Sequence, residues 1–177
     1  MSKMTYEVFF MCGITGFTNK TENADRVISE MMDKIRHRGP DAEGKYVDGD
    51  IALGHRRLSI IDVSSSGDQP IFNEDGSLVI VFNGEIYNYR EIREKLIAAG
   101  HTFKTNTDTE VLIHGYEEFG EKLLNMLRGM FAFVIWDKKK KELSQKAGVL
   151  GVIFDGTAAD MDGSRSLSCI EAVPVSL

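Results

Sequence analysis

Met11-Cys12-Gly13-Ile14-Thr15-Gly16-Phe17, residues 11–17, is the stretch around which the chain is organised. A cysteine directly follows a methionine and leads a short apolar run broken by two glycines, which predicts a first strand from Cys12 to Thr18. Free cysteine is most often a small buried core residue, so Cys12 alone carries little functional weight. The rest of the chain decides what it does.

The 177 residues suit one domain with a core of its own. A formal charge of -6 argues against a general nucleic-acid binder, which needs a basic face to meet phosphates. Two clusters, Arg36-His37-Arg38 and His55-Arg56-Arg57, are basic all the same and read as solvated surface. No apolar run approaches the roughly 18 residues of a membrane span. The first ten residues end in Val8-Phe9-Phe10 and have neither the length nor the cleavage site of a signal peptide. Two widely separated cysteines without a secretion signal predict a cytoplasmic, reduced protein.

Beyond the first strand, Val27, Ile28, Met31, Met32 and Ile35 recur at helical spacing behind Thr21 or Asn23 as cap. Gly39-Pro40 stops that helix. Two strand-like pieces follow at Gly44–Val47 and Ile51–Ile61, the second broken by the His55-Arg56-Arg57 patch. Asp75-Gly76 signals a turn into Leu78–Phe82, whose lack of alternation predicts burial of both faces. Asn88 with Glu91, and Thr107 with Glu110, have the spacing of capping boxes at the starts of two more helices, with a short strand His101–Thr105 between them. Glu121–Leu127 reads as a short helix, Met130–Trp136 as a second doubly buried strand, and Lys138–Lys141 as an exposed hairpin turn. Strands buried on both sides, with helices between them in the sequence, are explained by stacked sheets covered by helices.

Were Cys12 the first residue, it would carry both a thiol and a free α-amine. That amine has a reference pKa of about 7.7–8, well placed for a general base. One residue would then supply nucleophile and base. Attack on an amide carbonyl also needs donors for the developing oxyanion. Asn83-Gly84 offers a side-chain amide and a backbone N–H with no Cβ in the way, although Asn-Gly is also a hairpin-turn signal. Arg57 suits a carboxylate, and Glu85 and Asp108 suit an ammonium group. His37, His55, His101 and His114 lack metal-motif spacing with either cysteine, so no metal site is expected.

Met11-Cys12-Gly13-Ile14, Arg36-His37-Arg38-Gly39-Pro40-Asp41, Arg57-Leu58-Ser59-Ile60-Ile61-Asp62, Asn83-Gly84-Glu85-Ile86-Tyr87-Asn88 and Thr107-Asp108-Thr109-Glu110 stand in this order along the chain. Together they resemble the glutaminase domain of glutamine-hydrolysing asparagine synthetase, over residues 11 to about 143. The resemblance implies an α+β fold of the amino-terminal-nucleophile hydrolase type, a four-layer αββα sandwich. It implies Cys12 as nucleophile and Asn83 and Gly84 as the oxyanion hole. It also implies that Arg57 with Leu58, Ser59, Ile60 and Ile61 holds the carboxylate of glutamine, and that Glu85 and Asp108 hold its amine. Glutamine would give a glutamyl thioester and ammonia, and the ammonia would reach a second domain that amidates aspartate using ATP and magnesium.

That second domain and its phosphate loop have no counterpart in this chain, so no cofactor is expected here and aspartate would be met only through the missing part. The expected organisation is a leader or mis-assigned start at 1–11, the glutaminase domain at 12–143, and a non-matching tail at 144–177 of frame-shifted origin. Such a tail would leave Met130–Trp136 without its next strand and the fold incomplete at its C-terminus. A homodimer is the expected assembly, with no nucleic-acid or membrane partner. The rival readings are the glutaminase of a related enzyme with another acceptor, such as a sugar, and a catalytically dead remnant serving as an interaction module.

Overall fold

The computed structural model describes residues 12–18, 21–49, 51–58 and 67–148, together with four three-residue strands further on. The described residues form an α+β arrangement of two principal antiparallel sheets and three α-helices.

The first sheet has the order β1-β3-β2, with β1 at Gly13–Thr18, β2 at Ala42–Asp48 and β3 at Ile51–Arg57. Gly13 lies opposite Arg56 and Thr18 opposite Ile51, so the chain just before β1 meets the chain just after β3. Helix α1, Ala24–Lys34, packs Ile28 and Met32 against Phe17 and Ala52 on the outer face of this sheet.

The second sheet has the order β4-β5-β6-β7: β4 at Ile71–Phe72, β5 at Leu78–Ile86, β6 at Gly129–Asp137 and β7 at Glu142–Gly148. Strands β5 and β6 pair from Leu78 opposite Asp137 to Ile86 opposite Gly129. Their non-alternating apolar sequences are explained by what lies on each face. Val79, Val81, Ala132, Val134 and Trp136 join Ile14, Ile51 and Leu53 of the first sheet in one buried cluster. On the other face, Ile80, Phe82, Phe133 and Ile135 pack with Ile92 and Leu96 of α2 (Tyr89–Ala98) and with Val111 and Leu112 of α3 (Asp108–Phe119). A 3-10 turn, Gly120–Met126, follows α3 and buries Leu123 in the same cluster.

Five expectations change. Strand β3 is unbroken, and its basic patch lies inside the protein, with all seven residues buried. Arg56 is tolerated there because its Nε donates to the Met32 carbonyl at 3.1 Å and its guanidinium meets Asp33 at 2.8 Å and Glu43. Neither capping box forms. Asn88 reaches sideways instead, donating to the Met126 carbonyl and accepting from the Arg128 N–H, both at 2.8 Å. The Glu110 carboxylate turns backward to accept from the N–H groups of Lys104 and Thr105 at 2.7 Å each. Those bonds replace a ladder, and residues 101–107 are not a strand. Finally, β6 has no open edge, because β7 pairs with it from Asp137 opposite Glu142 to Phe131 opposite Gly148.

The turn at Lys138–Lys141 is where the sequence puts it, with Lys141 in the left-handed region at φ 55. Further on, Val152–Phe154 pairs with Ala172–Pro174, and Thr157–Ala159 with Ser166–Ser168, as two separate two-stranded ribbons. No helix among the described residues is long and apolar enough to cross a membrane.

Candidate active site

Strand alternation sorts the chemistry-bearing side chains. On β3, Ile51 and Leu53 face the second sheet, so His55 and Arg57 share that side, while Arg56 turns to α1. On β5, Val79 and Val81 face the first sheet, so Asn83 and Glu85 follow on the same face. Ile14 faces inward from β1, and Cys12 stands two residues before it. The inter-sheet layer is apolar along most of its length and polar at the end where these residues gather.

At that end the half-buried Cys12 is held by the segment leaving β3. The Leu58 N–H donates to Cys12 Sγ at 3.3 Å, and the thiol points back to the Leu58 carbonyl at 3.9 Å. Next to it, Arg57 is mostly buried, and its Nη1 is fixed by Asp68 at 2.7 Å. Gly67 lets the guanidinium lie close, since a Cβ there would come within 2.7 Å of Nη2. Ser59, Ile60 and Ile61, expected to continue this carboxylate cradle, lie outside the described residues.

His55 and Gln69 complete the edge of β5. Strand β4 is only two residues long, so β5 runs on beyond it with its even-numbered residues turned away from β6. Phe82 is the first of these without a strand partner on that side. Its N–H donates to Gln69 Oε1 at 2.6 Å, and its carbonyl accepts from the His55 ring. Gln69 also reaches α3, through Nε2 to Thr109 Oγ1 at 3.4 Å. Burial, reinforced by the nearby Arg57 charge and only partly offset by the Phe82 carbonyl and Asp68, pushes His55 down to about 4. At neutral pH it is therefore an uncharged fastener.

The same alternation carries past Phe82. The next even-numbered residues are Gly84 and Ile86, and the Ile86 N–H donates to Asp108 Oδ2 at 2.9 Å. Gly84 lies between these two fixed points, and its N–H faces the same edge. No other residue fits there. Its φ is +138, and a Cβ would run into the Met130 carbonyl. Asp108, the first residue of α3, is pushed above the ordinary aspartate range by burial and further by the negative charge of Glu85, against the pull of the Ile86 N–H and other backbone donors. A buried carboxyl beside a second negative charge is a setting that favours a cation.

The structure thus joins Cys12 to Leu58 next to Arg57, sets Asn83, Gly84 and Glu85 on β5 with Asp108 beside Ile86 and Glu85, and ties β3 to β5 through His55 and Phe82. Sequence reasoning did not single out Asp68, Gln69 or His55. The loop signal at Ser64–Pro70 marks the place but not the direction in which its polar side chains point.

Residues 11–153 match the family model described as glutamine amidotransferase domain. The chain is 50% identical over 133 residues to a Bacillus subtilis (strain 168) asparagine synthetase [glutamine-hydrolyzing], covering 72% of this chain and 21% of that protein. It is 42% identical over 161 residues to an Arabidopsis thaliana asparagine synthetase [glutamine-hydrolyzing], covering 89% and 27%. This chain therefore spans between a fifth and a third of the length of such curated relatives. Among solved structures, glutamine phosphoribosylpyrophosphate amidotransferase from B. subtilis, complexed with ADP and GMP, is similar with a TM-score of 0.61 and 25% identity, over 72% of this chain and 35% of that one.

Proposed function

The chain belongs to the glutamine amidotransferase domain family, and from that premise we propose that it is the glutaminase half of an asparagine synthetase, with Cys12 as its nucleophile. The observation that carries the assignment is the Cys12 thiol fastened to Leu58 beside the buried Arg57, at the polar end of the inter-sheet layer.

In the proposed reaction, Cys12 Sγ attacks the side-chain carbonyl carbon of glutamine. The free α-amine of Cys12 takes the thiol proton and passes it to the departing nitrogen, which leaves as ammonia. The Asn83 side-chain amide and the Gly84 N–H receive the oxyanion that forms and collapses on the way to a glutamyl thioester. Water then cleaves the thioester, releasing glutamate and restoring the thiol. Arg57, steadied by Asp68, takes the substrate's α-carboxylate as a fork. Glu85 and Asp108 take its α-ammonium, which relieves their mutual repulsion.

Ammonia made this way would serve ATP- and magnesium-dependent amidation of aspartate in the synthetase half of the longer relatives, in the cytoplasm. The proposed fold is the four-layer αββα sandwich, which the three buried clusters support: α1 on the first sheet, sheet on sheet, and the second sheet on α2 and α3. The proposed domain division keeps 1–11 as a leader or mis-assigned start, 12–143 as glutaminase and 144–177 as a non-matching tail.

The mechanism requires Cys12 to be the first residue, because a peptide bond to Met11 would occupy its amine. Protein beginning at Cys12 is expected to release glutamate and ammonia from glutamine, and protein retaining residues 1–11 is not. Equal turnover by both, with intact mass showing the extension retained, would refute the α-amine as base.

A further inference from the structure

We propose that Glu74, His101, His114 and Glu117 form a binding site for a divalent transition-metal ion of the zinc type, separate from the residues assigned to glutamine. One ligand atom from each of the four lies within 4.8 Å of all the others. Four ligands at bond lengths of about 2.0–2.1 Å around a tetrahedral centre stand about 3.4 Å apart. The observed spacings bracket that value. His114 Nδ1 is 3.1 Å from Glu74 Oε2 and 4.0 Å from Glu117 Oε2, and His101 Nδ1 is 3.3 Å from Glu74 Oε1.

The unpartnered histidine is the second, independent observation. His114 is only 1% exposed, yet neither ring nitrogen has a hydrogen-bond partner among the described residues. Its Nδ1 is aimed at the two carboxylates at a geometry that makes no hydrogen bond, as a lone pair directed at a shared cation would be. Behind it, Nε2 stands 3.7 Å from Glu110 Oε1, beyond hydrogen-bond reach but on the side from which a carboxylate orients a metal-binding imidazole. The other ligands are held from outside as well: the Thr102 N–H donates to Glu74 Oε1 at 3.2 Å, and Asn73 Nδ2 to Glu117 Oε1 at 3.3 Å.

Charge and donor type choose the ion. Glu74, Glu110, Glu117 and Glu118 all lie within 4.0 Å of one or other imidazole. So many carboxylates around two imidazoles leave an excess of negative charge that a divalent cation would balance. Two imidazole nitrogens with two carboxylate oxygens suit zinc and its neighbours, whereas calcium and magnesium take all-oxygen sets. His114 and Glu117 lie three apart on α3, Glu74 on the turn between β4 and β5, and His101 on the segment after α2. An ion there would clamp two other stretches to the helix whose first residue is Asp108.

The test uses the full chain, stripped of metal by chelator and titrated with Co²⁺ and then Zn²⁺. One Co²⁺ per chain is expected, with visible absorption of a tetrahedral site, no thiolate-to-cobalt band, displacement by Zn²⁺, and a higher thermal midpoint with Zn²⁺ bound. His101→Gln and Glu74→Gln, both at partly exposed positions, should each weaken binding at least about tenfold with the wild-type circular dichroism retained. Uptake below one equivalent, a thiolate band marking Cys12 as the ligand, or undiminished binding in both variants would overturn the site.

Discussion

Gln69 Oε1 accepts the Phe82 N–H at 2.6 Å, standing in for the strand that β4 is too short to provide. The same side chain donates to Thr109, so one amide ties the loop after β3 to β5 and to α3. Gln69→Leu keeps the volume but leaves the buried Phe82 N–H unsatisfied. A loss of about 1–3 kcal/mol in urea unfolding is expected. Unchanged stability would mean that water or another group replaces the amide without cost.

Chemistry and substrate holding separate into two variants. In protein beginning at Cys12, Asn83→Ala removes a proposed oxyanion donor and should lower kcat by roughly 10²–10³. Arg57→Lys keeps the charge but loses the planar fork that Asp68 steadies, so KM should rise with kcat little changed. An unchanged kcat in the folded Asn83→Ala variant would remove Asn83 from the oxyanion hole.

Asp108 must be ionised to hold an ammonium group, while burial and Glu85 favour its protonated form. Lowering the pH therefore protonates Asp108 sooner than an ordinary aspartate. For glutamine, kcat/KM should fall on an acid limb above the usual aspartate range, through KM. Asp108→Asn should raise KM at least about tenfold and abolish that limb. A variant with wild-type KM would place the ammonium elsewhere.

Glu110 makes folding pH-dependent in a definite direction. Burial alone would raise its carboxyl, but His114 and the donors of Lys104 and Thr105 hold it down to about 2, from 4.5 when unfolded. Because the folded value is the lower one, the stabilisation is complete above about pH 4.5 and lost as pH falls toward 2. It is on the order of 3 kcal/mol at most. Urea midpoints at pH 6 and pH 3 should differ more for wild type than for Glu110→Gln. Equal differences would show that other groups set the acid limb.

Strand β7 covers the edge of β6 along the whole run from Asp137 back to Phe131. A chain ending at Lys141 loses that cover and exposes unpaired N–H and C=O groups beside an apolar surface. It should aggregate where the full chain remains monodisperse, as read by light scattering. Equal monodispersity would show that β7 is dispensable.

The doubly buried strands were legible because a run such as Leu78-Val79-Ile80-Val81-Phe82 has no polar face to turn outward, whatever its neighbours. The order of the motifs singled out Cys12, Arg57, Asn83 and Asp108 on another basis, and the fold sets Cys12 just before β1, Arg57 at the end of β3, Asn83 within β5 and Asp108 at the start of α3. Arg56 was misread because its partners, Met32, Asp33 and Glu43, come from other elements and only the folded sheet shows that they neutralise it. Glu110 and Asn88 were misread because a capping spacing fixes which groups are within reach, not which one is chosen. Gln69, whose two partners are 13 and 40 residues away, left no local mark at all.

The bond between Leu58 and Cys12 joins residues 46 positions apart. Such a contact closes a long loop and forms slowly compared with any helix turn. Strand β5 gains its β6 partner only when Gly129–Asp137 has been made, so a chain emerging from the ribosome carries its thiol long before the opposite wall exists. During that interval the cysteine is an ordinary accessible sulfur, open to oxidants and without a hold on any amide. Under the proposed chemistry, synthesis itself would act as a timer that keeps ammonia from being released by an unfinished chain.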